Sequence, residues 1–172
     1  MTTDLPAVLL QPLDAAALQA LIDRDLDGAR ARAGVPLPPD FLADTWLWTL
    51  RLGQMIGEPE VTPWLVRAIV AESGPAAGEV VGHAGYHGAP DERGMVEIGY
   101  RVIPAWRRQG YAQAAVRELL AYARENGVRI ARASVSPDNA RSLRIVAAFG
   151  FAQVGEQMDE RDGRELVFER DL

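Results

Sequence analysis

Arg107-Arg108-Gln109-Gly110-Tyr111-Ala112 stands between a strand-like run at 95–103 and a helix-like run at 113–126. A turn that feeds a helix start directs unpaired backbone N–H groups outward, and the helix dipole adds partial positive charge at the same place. Gly110 lets backbone approach a ligand without a Cβ, Ala112 keeps the first helical turn slim, and Arg107 and Arg108 add two guanidiniums. The stretch reads as an anion cradle. As a short glycine motif it reads equally well as an ordinary helix start with surface arginines.

Composition narrows what such a cradle serves. The chain has 172 residues, 48% hydrophobic and 24% charged, which suits one domain over 1–172 with a sizeable core. No uncharged stretch exceeds eleven residues, against the roughly 18 of a membrane-spanning helix, so no membrane partner is expected. Asp4 precedes the first apolar run and no basic residue does, unlike a secretory signal; a cytoplasmic location is the expectation. The chain contains no cysteine, which excludes disulfides, thiolate metal sites and an enzyme-bound thioester. All 18 basic residues are arginine, so a Walker-type phosphate loop and Schiff-base chemistry also fall away. Phosphate must here be met by arginine forks and backbone amides. A formal net charge of −6 argues against non-specific nucleic-acid binding and favours a cationic partner.

Around the cradle, residues 7–10 read as a first strand and 14–32 as a helix capped by Asp14, with Leu18, Leu21, Ile22 and Leu26 as its apolar stripe. Three prolines in 34–40 mark a break. A second helix is expected from Pro39 or Asp40 to Ile56, with Phe41, Leu42, Trp46, Leu50 and Met55 on one side. Residues 64–71, 80–87 and 95–103 read as a three-strand meander. Beyond the cradle, the helix at 113–126 buries Ala115, Val116, Leu119, Leu120 and Ala123 and is capped by Gly127. A strand at 128–135 follows, then a short helix opened by Ser136-Pro137-Asp138-Asn139 and closed by Gly150. A hairpin of 151–158 and 165–170 turns at Asp162-Gly163. His83 and His87 share a strand face about 13 Å apart, too far to ligate one ion, so no metal is expected.

Two blocks then carry a resemblance. Val96-Glu97-Ile98-Gly99-Tyr100 with Pro104-Ala105-Trp106 and the cradle, followed by Asn139-Ala140-Arg141-Ser142 and Phe149-Gly150-Phe151, resemble the acyl-CoA-binding core of the GNAT N-acetyltransferase superfamily. Its pyrophosphate motif, Gln/Arg-x-x-Gly-x-Gly/Ala, is matched by Arg107, Gly110 and Ala112. Ser142, three residues after Asn139, and the absence of tyrosine at Val146 are similar to the ribosomal-protein alanine acetyltransferase branch (RimJ/RimL-like). Ala147-Ala148 departs from the Glu-Lys pair common there.

The resemblance implies an α/β (α+β) GNAT-like fold, a mixed, mostly antiparallel sheet with helices on both faces. It implies an acetyl-CoA-dependent N-acetyltransferase that acts on a primary amine, either a small molecule or a protein N-terminus, by direct attack; the alternative is a non-catalytic acyl-CoA-binding sensor or scaffold. Arg107, Arg108, Gln109, Gly110, Tyr111 and Ala112 would hold the pyrophosphate. Arg101 and Val102 would offer strand backbone to the pantetheine arm, from a strand that splays from its neighbour, and Asn139 would orient that arm. Glu97 is the candidate base, because an amine of pKa about 10 must lose a proton before it attacks. Its other reading is an outward-facing strand position. Ser142 would assist the leaving thiolate, or else bond back to its own helix. The acceptor's identity and a homodimeric state are left open.

Overall fold

Seven strands form one sheet in the order β1-β2-β3-β4-β5-β7-β6 in the computed structural model, which describes residues 5–172. Asp4, used above against a secretory signal, lies outside the described residues. The strands are β1 (Val8–Pro12), β2 (Arg67–Ala71), β3 (Val80–Tyr86), β4 (Met95–Val102), β5 (Ile130–Val135), β6 (Ala152–Asp159) and β7 (Gly163–Asp171). Every neighbouring pair is antiparallel except β4 with β5, which run parallel. The helices are α1 (Ala15–Ile22), α2 (Leu26–Ala33), α3 (Thr45–Gly57), α4 (Tyr111–Glu125) and α5 (Ala140–Ala148). Among the described residues, no helix is long and apolar enough to cross a membrane.

The sheet separates two cores. On one face Val96, Ile98 and Val102 of β4 pack with Ala115, Val116 and Leu119 of α4. On the other, Ala68 and Val80 meet Leu18 and Leu21 of α1 and Trp48 and Met55 of α3. Strand alternation makes this division, since successive side chains leave a strand on opposite faces.

The N-terminal third departs from the sequence expectation in two places. The helix expected over 14–32 is two helices: Arg24 takes a left-handed φ of 61°, and Asp25 starts α2 by accepting a hydrogen bond from the Gly28 N–H at 2.9 Å. Asp14 caps α1 as expected, accepting from Ala17 N–H at 2.8 Å. The second expected helix begins as a 3-10 turn, Pro39–Ala43, and restarts as α3 only after Asp44. That restart shifts the helical phase. Trp48, Arg51 and Met55 turn inward at 3.6-residue spacing, whereas Trp46 and Leu50, expected inside, are 42% and 49% exposed. Trp64 belongs to a second 3-10 turn, Pro59–Trp64, so β2 starts three residues later than expected.

Trp48 is fully buried, stacked on Phe41 at 5.4 Å, and donates its indole N–H to the Phe41 carbonyl at 2.6 Å. Replacing Trp48 with Ala is expected to cost about 3–5 kcal/mol of stability in urea denaturation. The same change at the exposed Trp46, whose ring carries the Arg161 guanidinium 3.6 Å from its centroid, should cost about 1 kcal/mol or less. Equal losses at the two positions would restore the inward face expected from sequence.

Candidate active site

β4 and β5 pair only over Met95–Ile130, Val96–Ala131 and Glu97–Arg132, and beyond Glu97 β4 has no strand on that side among the described residues. β3 continues along the opposite edge as far as Val102. His87 N–H donates to the Glu97 carbonyl and Ile103 N–H to the Val81 carbonyl, both at 2.9 Å. Backbone groups of residues 97, 99, 101 and 103 therefore point at β3, and those of Tyr100 and Val102 point at the open edge. The Val102 carbonyl is met there by the Arg107 Nε–H at 3.0 Å. The Val102 N–H and both backbone groups of Tyr100 remain on that edge, available to a strand-like ligand.

The cradle lies at the mouth of this opening. After a 3-10 turn, Pro104–Trp106, the chain passes through left-handed Arg108 (φ 61°) and Gly110 (φ 85°) into α4. Gly110 is the N-cap of α4, with no side-chain hydrogen bond to the first turn, so the first-turn N–H groups stay uncapped. Glycine at 110 answers to its φ and to Pro6, whose Cδ lies 3.0 Å from where a Cβ would stand. These reasons stand beside the close ligand approach expected from sequence, since Gly110 also lines the neighbouring cavity.

A cavity of about 600 Å³ joins the cradle to α5. Arg101, Val102, Arg107, Arg108, Gly110, Tyr111, Ala112, Asn139 and Ser142 line it, so the structure brings these expected residues together. Gln109 does not line it. Tyr111 turns its ring into the core, where the hydroxyl accepts from Ala76 N–H at 2.9 Å and donates to the Ser73 carbonyl at 3.2 Å. Its backbone end is what lies at the cradle. Asn139 caps α5, its side-chain oxygen accepting from Ser142 N–H at 3.1 Å, which leaves its NH2 as the group able to turn to a ligand. Arg141 and Arg144 also line the cavity and bring its arginines to five. Sequence reading assigned them nothing, although their spacing of three on a helix puts them on one face. A multiply phosphorylated ligand fits this lining.

The second cavity, about 840 Å³, opens on the other face between α3, β3, β4 and the β6–β7 turn. Its floor is a ladder of cross-strand pairs, His83 with Arg101, Gly85 with Gly99, and then His87 beside Glu97. The glycines keep the middle low: a Cβ on Gly85 would overlap the Leu65 carbonyl, and one on Gly99 would stand 3.1 Å from His87 Nε2. Glu97 does not line the cavity itself. It sits behind His87, with Oε1 3.7 Å from Nδ1 and its side chain 18% exposed. The imidazole is half exposed, yet the groups crowding it desolvate it enough to push it below the ordinary histidine range; Arg51 adds to this, and Glu97 and Asp159 oppose it. His87 is therefore predominantly neutral at pH 7 and able to accept a proton.

Asp44, at the head of α3, was missed from sequence. It accepts from the half-exposed Arg101 side chain and lies 3.2 Å from His83 Nε2, the latter contact being buried. Burial works to raise its carboxyl, but the His83 hydrogen bond and charge, then Arg101, outweigh it and hold the group below the ordinary aspartate range. The Arg161–Trp46 contact closes one side of the same cavity. Tyr100 and Arg101 are the residues that line both cavities.

An acetyltransferase (GNAT) domain family matches residues 8–152, and the chain belongs to that family. It is 40% identical over 75 residues to the uncharacterized N-acetyltransferase YjdG of Bacillus subtilis (strain 168), a match covering 42% of this chain and 44% of the relative. A second relative from the same organism, YoaA, is 31% identical over 78 residues, covering 45% and 44%. The matched part thus spans less than half of these curated relatives. Among solved structures, RimJ of Mycobacterium smegmatis in complex with CoA-disulfide aligns with a TM-score of 0.66 at 20% identity, covering 95% of this chain and 81% of that one. The ribosomal-protein-S5-alanine acetyltransferase of Vibrio fischeri aligns at 0.63 and 16% identity, covering 95% and 91%. These likenesses establish the GNAT fold expected from sequence, its mixed and mostly antiparallel sheet included.

Because Asp44 has a lower pKa folded than unfolded, its ionised form adds stability that is complete above the unfolded value of about 4 and is lost as pH falls through the folded one. The stability gap between wild type and Asp44→Asn, followed by urea denaturation, should be wide at pH 7 and narrow toward pH 3. A gap that stays constant over that range would remove the Asp44 pairings from the fold's acid response.

Proposed function

We propose that this protein is an acetyl-CoA-dependent N-acetyltransferase that acetylates a primary amine, a small molecule or a protein N-terminus, by direct attack. The observation that carries this reading is the meeting of two cavities on one stretch of strand. An arginine-lined cleft suited to a phosphorylated donor lies on one face of β4 and an open acceptor cavity on the other, with Tyr100 and Arg101 common to both. Solved relatives described as bound to CoA-disulfide and to acetyl-CoA support the choice of donor.

In this reading the α4 N-terminus and the arginines of the turn and of α5 hold the pyrophosphate and its neighbouring phosphate. The open edge of β4 at Tyr100 and Val102 takes the pantetheine arm as a strand would be taken. The amine arrives from the α3 side, and its proton passes to the Glu97–His87 pair, His87 standing between that carboxylate and the cavity. Val102 N–H, on the edge whose carbonyl Arg107 already holds, meets the oxyanion of the tetrahedral intermediate. The acidic residues at the cavity mouth, Asp159, Glu160 and Asp162, favour a cationic acceptor.

Acetyl-CoA at 100 times its Kd should stabilise the protein by about 2.7 kcal/mol, read as a raised melting temperature. Thiol release should follow when a panel of amines and peptides is added. No thermal shift at millimolar coenzyme overturns the reading, and a shift without thiol release on any amine leaves a binding protein in its place. Glu97→Gln should lower kcat by about 100-fold or more near neutral pH. An unchanged rate across pH would take the proton-accepting role from this pair.

A further inference from the structure

The reaction proposed above ends with a thiolate that needs a proton, and the donor cleft limits where one can come from. Its charged lining residues are all arginines, and a guanidinium cannot be deprotonated in a protein. Val146 on α5 is buried and carries no proton to give. Three hydroxyls remain: that of Tyr111 is engaged by Ala76 and Ser73 in the core, which leaves those of Ser142 and Tyr100. The Tyr100 hydroxyl is buried yet has no hydrogen-bond partner among the described residues, a condition that buried polar groups rarely keep without a ligand or a catalytic task. Its residue belongs to both cavities, and its side chain leaves β4 on the same face as Ile98 and Val102, beside the open edge and toward α5. The polar side chain that bears on it is Ser142, which lines the same cleft and stands short of a formed hydrogen bond.

We infer that the Tyr100 hydroxyl is the proton donor to the departing sulfur, with Ser142 as its positioning residue. This rests on the acetyltransferase reading. The amine nitrogen's lone pair forms the C–N bond, and the C–S bond breaks with its electron pair going to sulfur. The Tyr100 O–H proton passes to that sulfur. The tyrosinate regains a proton from the solvent pool, to which the Glu97–His87 pair delivers the one lost by the amine, so charge and protons balance. Burial raises the Tyr100 hydroxyl above the ordinary tyrosine range and Ser142 pulls it back, so it stays protonated until the thiolate appears.

The groups around this hydroxyl in the donor cleft are Arg107 and Arg108 on the turn and Arg141, Ser142 and Arg144 on α5, while the second cavity, which Tyr100 also lines, brings Asp44, Arg51, His83, His87, Arg101, Asp159, Glu160, Arg161 and Asp162 from the opposite face. Tyr100→Phe leaves all of these in place, so a change in bound-thiol acidity between wild type and this variant reports the hydroxyl itself. The test is the pH titration of the coenzyme A thiol bound to the protein, followed by an NMR label on the carbon bearing the sulfur, in wild type and Tyr100→Phe. A hydroxyl that donates to the thiolate should make the bound thiol about tenfold more acidic, about one pH unit, in wild type than in the Phe variant. With an accepted amine, Tyr100→Phe should lower kcat by about tenfold or more while KM for acetyl-CoA stays within about twofold. Ser142→Ala, which leaves the ring in place, should give a smaller shift of the same sign.

Equal thiol acidity in wild type and Tyr100→Phe overturns the inference. So does a larger shift for Ser142→Ala than for Tyr100→Phe, which would make the serine the donor. A Phe variant whose only defect is weaker coenzyme A binding also overturns it. Because the titration needs no acceptor, a shifted thiol in a protein that acetylates no amine would sustain the Tyr100 assignment while the acetyltransferase reading fell.

Discussion

β4 holds β5 over three residue pairs and then parts from it, while each strand keeps its antiparallel partner, β3 on one side and β7 on the other. Parallel pairing is slightly less stable per residue than antiparallel pairing, so in a twisted sheet the parallel seam is the one that gives way. A parted seam inside a sheet leaves backbone N–H and C=O groups that must find partners. Arg107 takes the Val102 carbonyl, and the starts of α4 and α5 flank the gap. The uncapped first turn of α4, the open edge and the arginine lining all belong to this opening.

The same strand also divides the charges. Side chains of Val96, Ile98, Tyr100 and Val102 face α4, whereas Glu97, Gly99 and Arg101 face α3. On the α3 face each histidine has its own carboxylate, His83 with Asp44 and His87 with Glu97, and each carboxylate also meets the field of an arginine, Arg101 or Arg51. Buried charges of one sign would be costly there, and this pairing keeps both the floor and the wall of the cavity near neutrality. Removing one partner strands the other, so each group holds its neighbours in place as well as serving any chemistry.

What the sequence makes legible follows from how local each signal is. The cradle is read correctly as a strand-to-helix junction because glycine conformation and helix starts are decided within a few residues, and the Asn139 cap is legible for the same reason. The α3 face is misread in part, Phe41 and Met55 being buried as expected but Trp46 and Leu50 exposed, because a 3-10 turn and Asp44 delay the helix and shift its phase. Arg24 breaks the first helix with a left-handed φ that no propensity signals. Asp44 escapes notice because its partners lie 39 and 57 residues away, and only the β3–β4 register brings His83 and Arg101 to it. Tyr100 is legible as a strand residue, but the solitude of its hydroxyl is a property of the assembled cleft.

The two cavities meet at residues 100 and 101, and in the proposed reaction this fixes where reacting atoms can approach each other. The seam is stiff. A Cβ on Gly82 would overlap the Arg101 carbonyl, so β3 and β4 touch backbone to backbone there, and Asp44 ties Arg101 to the head of α3. Such stiffness holds the strand edge in its working geometry before any ligand arrives, where misplacement by about 1 Å can cost a factor of about 100 in rate. The α3 side is tied to this seam by Asp44 with Arg101 and His83 and by Arg51 and Gln54 on the His87 carbonyl, whereas the β6–β7 turn reaches it through the Arg161 guanidinium on Trp46. The exposed residues of α3, Trp46 and Leu50, and those of the β6–β7 turn can therefore change, and with them the shape of the second cavity, without disturbing the edge of β4.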